Sequence, residues 1–426
     1  MKMIAKTPLA AMFGALVLTS SFAGAQSISG RWDATVTVDG NIIPFRLDVS
    51  GERESLVGTL YNGDQKETTT STRLENGSVV LSFDHYLTTI IATPKDGKLE
   101  GTVAGRFDAE KYISSYPFQA KSYVRTETAA ENIPSIAGDW IIPYESTKGE
   151  KAWRLIVQQT GSDVSAAVLR VDGDTGALTG SYHGGKFVLS HFDGSRPLVA
   201  SITPAEDGTL AIQLTGPYTP KDKLIAYRPA AARAKGLPQP SDYTTHTTVR
   251  DPKETFAFSF PDVNGRLVSN TDPKFKNKVV LAIVTGTWCP NCHDEAQYLV
   301  QLYSKYHDKG LEIVALDFEE PEQQDSLKRE RAFIKQYGVQ YTYLIAGAPA
   351  EMWEKVPQAV NLNTWPATLF IGRDGRVKYI HAGYAAPASG EFHQQLETEF
   401  TSNIEQLLVG KSSEVTTASV TSKGTH

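Results

Sequence analysis

Residues 286–293 read GTWCPNCH, and this run decides how the C-terminal part of the chain is understood. Taken as Cys-x-x-Cys-His, from Cys289 to His293, it has the spacing at which haem is attached covalently to a polypeptide. Taken as Trp288 followed by Cys289 and Cys292 at the mouth of a helix, it has the spacing of a redox-active dithiol. The flanking residues arbitrate. KVVLAIVTG (278–286) is a continuous β-branched run, as a strand buried on both faces requires. Beyond the motif, Leu299, Leu302, Tyr303 and Tyr306 fall on one face of a helix.

The alternation of strand and helix continues outward. LEIVALDF (311–318) reads as a second buried strand, followed by an amphipathic helix over about 322–337. ATLFIG (367–372) and RVKYIHA (376–382) flank Asp374-Gly375 as an antiparallel pair, and a last helix covers about 390–408. A β-α-β unit followed by β-β-α is the order of a thioredoxin fold.

GTWCPNC after a buried strand, with TWPATLFIGRDGRV (364–377) downstream, resembles exported thioredoxin-like thiol-disulfide oxidoreductases of the TlpA/ResA type over residues 255–410. The resemblance implies that Pro366 is cis and faces the dithiol, where an extended substrate segment can add to the neighbouring backbone. It implies Cys289 as an exposed nucleophile, its thiolate favoured by the helix N-terminus, and Cys292 as the buried resolving thiol. Glu295 stands three residues after Cys292, where the family carries a proton-accepting Glu; its other reading is a solvated carboxylate at the helix N-terminus. Ile283 replaces the buried Asp of cytosolic thioredoxins. Trp288, Pro290, Asn291 and Trp365 border the groove expected to bind substrate, and the Pro-Asn order of the spacer and the bulk of Trp365 depart from the family pattern.

At 426 residues the chain is long enough for two or three domains, and its 40% hydrophobic and 21% charged composition is that of globular protein. A net charge of −6 offers no attraction to nucleic acid or an anionic membrane. Residues 1–25 read as a signal peptide: Lys2 and Lys6, an apolar run over 9–18, then Ala23-Gly24-Ala25, with cleavage near Ala25-Gln26. The apolar run is short for a membrane span, so a periplasmic or secreted protein that is not integral to the membrane is expected. Cys289 and Cys292 are its only cysteines.

Between the signal and the redox domain lies an internal duplication at an offset of 108 residues. SISGRW (27–32) returns as SIAGDW (135–140), and FRLDV (45–49) as WRLIV (153–157). Both copies, residues 26–128 and 134–230, read as all-β domains of about eight short strands, a barrel or a sandwich. Gly30-Arg31-Trp32 and Gly138-Asp139-Trp140 resemble the opening of lipocalin-like (calycin) barrels, which implies that Arg125 and Arg228 pack on the two Trp rings. Residues 231–254 read as a linker and 411–426 as a disordered tail. The fold class expected is therefore two tandem all-β repeats followed by an α/β thioredoxin fold.

The function expected is dithiol/disulfide exchange with protein thiol or disulfide substrates. No cofactor beyond the Cys289–Cys292 pair and no metal are needed, and a membrane-bound electron donor or acceptor is the implied redox partner. Rival readings are a binding protein whose β domains carry the function, and a peroxiredoxin-like peroxidase. The second expects Pro-x-x-x-Thr-x-x-Cys, where this chain has AIVTGTWC (282–289). Haem would use His293 and commonly a Met, but Met1, Met3 and Met12 lie in the signal, leaving Met352. Zinc lacks a second Cys/His pair at ligand spacing.

Overall fold

The computed structural model describes residues 28–52, 55–107, 113–124, 132–217, 219–324 and 326–410. The expected signal peptide and cleavage site, Arg125 and the expected disordered tail lie outside the described residues.

The N-terminal half is all-β. The first nine-stranded antiparallel sheet follows chain order, except that its first strand, Gly30–Val38, pairs with both Asn41–Ser50 and the last strand, Ser114–Ser122. The two ends of the sheet, Gln65–Thr68 and Ser71–Glu75, are successive in the chain. Thr69 N–H donates to Gly58 O and Thr70 N–H to Ser82 O across the step between them, so the sheet curls shut. Period-two burial sends Trp32, Ala34, Val36 and Val38 inward from the first strand. Trp32, Leu47, Leu60, Phe83 and Phe118 meet in a solid core.

The second sheet also has nine strands, and its first and last, Gly138–Pro143 and Leu224–Ala226, close through reciprocal 2.8 Å bonds between Ile141 and Tyr227. Each domain anchors its first Trp alike: Trp32 Nε1 donates to Ile28 O at 3.0 Å and Trp140 Nε1 to Ile136 O at 2.8 Å. The Arg228 guanidinium lies 3.7 Å from the Trp140 ring centroid, as the calycin resemblance implied.

The expected linker is laid down as a strap. Pro229–Ala234 is a short helix whose Ala232 packs with Ile141 and Ala152. Tyr243 O accepts from Ala382 N–H, and Thr248–Val249 pairs with Ala359–Val360.

The C-terminal domain is thioredoxin-like. Its five-stranded sheet runs Thr342–Gly347, Leu311–Phe318, Val279–Thr285, Ala367–Ile371, Val377–Ala382; the first three strands are mutually parallel and the last two join antiparallel. Every residue of Val279–Thr285 and Leu311–Phe318 is buried, as two covered faces require. The single helix expected over 322–337 is instead two, Pro321–Gln324 and Lys328–Tyr337. Leu327 takes a left-handed φ of 48° between them, and the break turns Arg329 and Glu330 inward.

Candidate active site

The central strand ends at Thr285, and the chain turns through Gly286, Thr287 and Trp288 into the helix Pro290–Tyr306. Cys289 caps that helix: its Sγ accepts the Cys292 N–H at 3.3 Å. Pro290 at the first helical position costs nothing there, since its missing N–H has no partner to serve. Both thiols are free.

Trp365–Pro366 is a cis peptide, and the Trp365 carbonyl accepts the Cys289 thiol at 3.3 Å. Trp288 and Trp365 stand 5.3 Å apart beside the sulfur, and Trp288 Nε1 donates to Phe318 O.

Cys292 is 1% exposed, and burial, then its contact with Cys289, pushes its thiol well above the usual range. Glu295, also 1% exposed, accepts from Thr368 Oγ1 at 2.6 Å, and burial pushes its carboxyl up to about 8. The solvated-carboxylate reading of Glu295 is thus corrected: the side chain lies under the dithiol and raises the Cys292 thiol electrostatically. Tyr341, buried and raised by Glu295 and Cys292 after its own burial, completes the pocket floor. Thr368 and Tyr341 escaped the sequence reading. The Thr two places after Pro366 was the available signal for the first, whereas nothing in sequence pairs Tyr341 with Cys292.

A second correction concerns Cys289 itself, which is 4% exposed rather than open to solvent. The residues around it are covered by the second β domain. Asn291 Nδ2 donates to Asp172 O at 2.8 Å, and Arg196 Nη1 donates to Asn291 Oδ1 at 3.1 Å. Arg196 also reaches Asp294 at 3.3 Å. Burial pushes the Asp294 carboxyl up to about 7. Asn363, beside the cis-Pro loop, donates to Lys148 O. Gly173 (φ 119°) sits so close that a Cβ there would lie 2.5 Å from Tyr384 O and 2.7 Å from Asn291 Nδ2.

His293 is more than the next residue on the helix. Its Nε2 donates to Thr287 O at 2.7 Å, so Nδ1 is left to accept from Tyr337 OH at 2.9 Å. Its ring stacks 4.2 Å from Tyr86 of the first β domain, with His85 at 5.8 Å. Burial, then the neighbouring His85, holds the imidazole well below its ordinary pKa.

The Redoxin family model matches residues 251–396. The thiol-disulfide oxidoreductase ResA of Bacillus thuringiensis (strain Al Hakam) is 31% identical over 125 residues, 29% of this chain and 65% of that protein. The ResA of Geobacillus thermodenitrificans is 30% identical over 141 residues, 33% of this chain and 74% of that protein. The chain therefore spans just under two thirds of the Bacillus relative's length. Among solved structures, a putative thiol:disulfide interchange protein DsbE from Chlorobium tepidum aligns with TM-score 0.30 at 21% identity, over 37% of this chain and 99% of that one. A putative thioredoxin from Neisseria meningitidis aligns with TM-score 0.27 at 24% identity, over 35% and 92%. Through its C-terminal domain, the chain belongs to the ResA family of thioredoxin-like thiol-disulfide oxidoreductases.

Proposed function

We propose that the protein is an extracytoplasmic thiol-disulfide oxidoreductase acting chiefly as a reductase, with Cys289 as nucleophile, Cys292 as resolving thiol and Glu295 as proton acceptor. The observation that carries this reading is the placing of Cys289 Sγ between the Cys292 N–H and the Trp365 carbonyl of the cis-Pro loop. The Cys289 thiolate attacks one sulfur of a substrate disulfide, forming a mixed disulfide and releasing the other sulfur as a thiolate that takes a proton. Cys292 passes its proton to the ionised form of Glu295, the fraction that grows as pH approaches about 8, and attacks Cys289 Sγ. The second substrate sulfur leaves as a thiolate and takes the proton held on Glu295, so the substrate departs as a dithiol and Cys289–Cys292 is left as a disulfide. A membrane-bound thiol donor is the partner class that returns the two electrons.

Pro366, Trp365, Trp288, Pro290 and Asn291 form the substrate-facing rim. Haem attachment is disfavoured by geometry, since both ring nitrogens of His293 serve protein partners in a buried cluster. No described helix is long and apolar enough to cross a membrane.

The two β domains read as duplicates that dock on the oxidoreductase and govern approach to it. Their support is a constant offset: Ser78–Phe83 and Lys186–His191 are 108 residues apart at both ends. Their interiors are filled by side chains, which favours a scaffolding role over enclosure of a lipid. Reduction of insulin disulfides by the parent protein, lost in Cys289→Ser, is the expected result. Equal activity in the variant overturns the reading. A reduction potential near roughly −270 mV marks a reductant, and one near roughly −120 mV an oxidant.

A further inference from the structure

Behind the loop that leads to the dithiol lies a buried acidic cluster that thiol exchange does not use. Asp317 is the penultimate residue of the strand Leu311–Phe318, Glu319 follows the strand, and Glu330 is in the first turn of the helix Lys328–Tyr337. One carboxylate oxygen from each lies within 4.8 Å of the others, and all three residues are 0% exposed.

The charges around this point do not balance. Glu319 and Glu320 pair with the Arg329 guanidinium, and Glu320 also pairs with Arg106 from the first β domain. Asp317 and Glu330 are left over: neither carboxylate makes a hydrogen bond with either oxygen. Four carboxylates thus face two paired guanidinium groups, while a third, Arg331, acts on Glu330 only from its bond to Val263 O. A neutral buried oxygen faces the same point. Tyr343, 5% exposed, sits opposite Ala315 in the parallel pair, on the same face as Asp317, and its hydroxyl, turned toward Asp317, has no partner at full hydrogen-bond geometry. Buried oxygens without partners are costly in a folded protein unless something binds them.

We propose that Asp317, Glu319, Glu330 and Tyr343 form a binding site for one calcium ion. A divalent cation supplies the two missing positive charges. All the donors are oxygens, which favours a hard cation over zinc. Ligand atoms up to 4.8 Å apart can face one another across an ion bound at roughly 2.3–2.6 Å, the calcium range, whereas magnesium binds at roughly 2.0–2.1 Å and retains water. The ion braces the loop beneath the dithiol, because Glu319 also accepts the Thr287 N–H and hydroxyl two residues before Cys289. Through Glu320 and Arg106 it also supports docking of the first β domain.

The test is calorimetry and thermal unfolding of the full chain, stripped with a chelator and titrated with calcium chloride at pH 7.5, with magnesium chloride as comparison. One calcium per chain is expected, with Tm rising as the logarithm of free calcium and a smaller response to magnesium. Asp317→Asn and Glu330→Gln should each weaken binding by more than about tenfold. Tyr343→Phe, which keeps the charges and nearly the volume, should weaken it severalfold if a charge variant fails to fold. The proposal is overturned if millimolar calcium gives neither heat nor a Tm shift in the parent, the result expected of carboxyls that hold protons. It is equally overturned if the variants respond as the parent does, the result expected of binding elsewhere on the surface.

Discussion

The two β domains leave corresponding strands, 108 residues apart, through different segments. After the strand Ser78–Phe83 the first domain has Asp84, His85 and Tyr86; after Lys186–His191 the second has Phe192, Asp193 and Gly194. The segments touch, since a Cβ on Gly194 would lie 3.4 Å from the Tyr86 ring. From the first, His85 and Tyr86 reach the His293 ring in an aromatic clasp. From the second, Phe192 leaves its own domain and enters the first domain's core, 4.6 Å from Phe45. Asp193 meanwhile anchors Arg196, whose guanidinium reaches Asn291 and Asp294 beside the dithiol. The first domain therefore adds an aromatic clasp to its Arg106–Glu320 ion pair, and the second lays a polar latch across the reactive face beside its own apolar contacts through Ile156 and Leu169. Two all-β domains thus meet the oxidoreductase differently through the three residues that follow one strand of each.

The largest expected effect comes from breaking the clasp. Tyr86→Ala removes a buried ring from two domains at once and should cost about 3–5 kcal/mol in denaturant unfolding. It should leave the alkylation rate of Cys289 in the folded protein nearly unchanged. Asp193→Ala attacks the latch. Burial works against the Asp193 carboxylate, yet Arg196 and His191 hold it well below the usual range, so its loss leaves the buried Arg196 guanidinium with only its longer 3.3 Å contact to Asp294. A cost of about 3 kcal/mol is expected, together with faster alkylation of Cys289. Equal acceleration by the two variants would show that the domains do not divide the work as described.

Glu295→Gln asks whether the dithiol floor acts apart from both domains. The folded carboxyl holds its proton up to about pH 8, whereas its ordinary pKa is 4.5. The folded state therefore binds the extra proton between those values. This contribution to stability is complete at the acid end of the window and is lost as pH rises through it. The parent should lose on the order of 1–3 kcal/mol across that range relative to the variant, measured by urea unfolding against pH. A parallel pair of profiles would mean the carboxyl is ionised throughout. Last, Asn291→Ala removes the two hydrogen bonds of the latch on the spacer and should cost about 1 kcal/mol. Its informative readout is Cys289 alkylation, expected to rise by up to about tenfold; no change would place the barrier to access elsewhere.

The thioredoxin-like domain was largely readable from its residues because its signals are local. A continuous β-branched strand, a Cys-x-x-Cys at a helix mouth and a Thr-Trp-Pro before another strand each report on their own neighbourhood. The all-β character of the first half was legible from strand alternation and turn residues in the same way. The break at Leu327 was not, because the helical pattern continues through it and only the burial of Arg329 and Glu330 shows what the break achieves.

By itself, the sequence determined the dithiol, its helix, the cis-proline strand and the order of the domains, since these follow from periodicity and short motifs. Only the tertiary structure decided that Cys289 is covered, that His293 joins two domains, and that Asp317, Glu319 and Glu330 converge. Each of those depends on contacts between residues that are distant in the chain or brought together by a turn, where desolvation and charge balance, which no local pattern encodes, set the outcome.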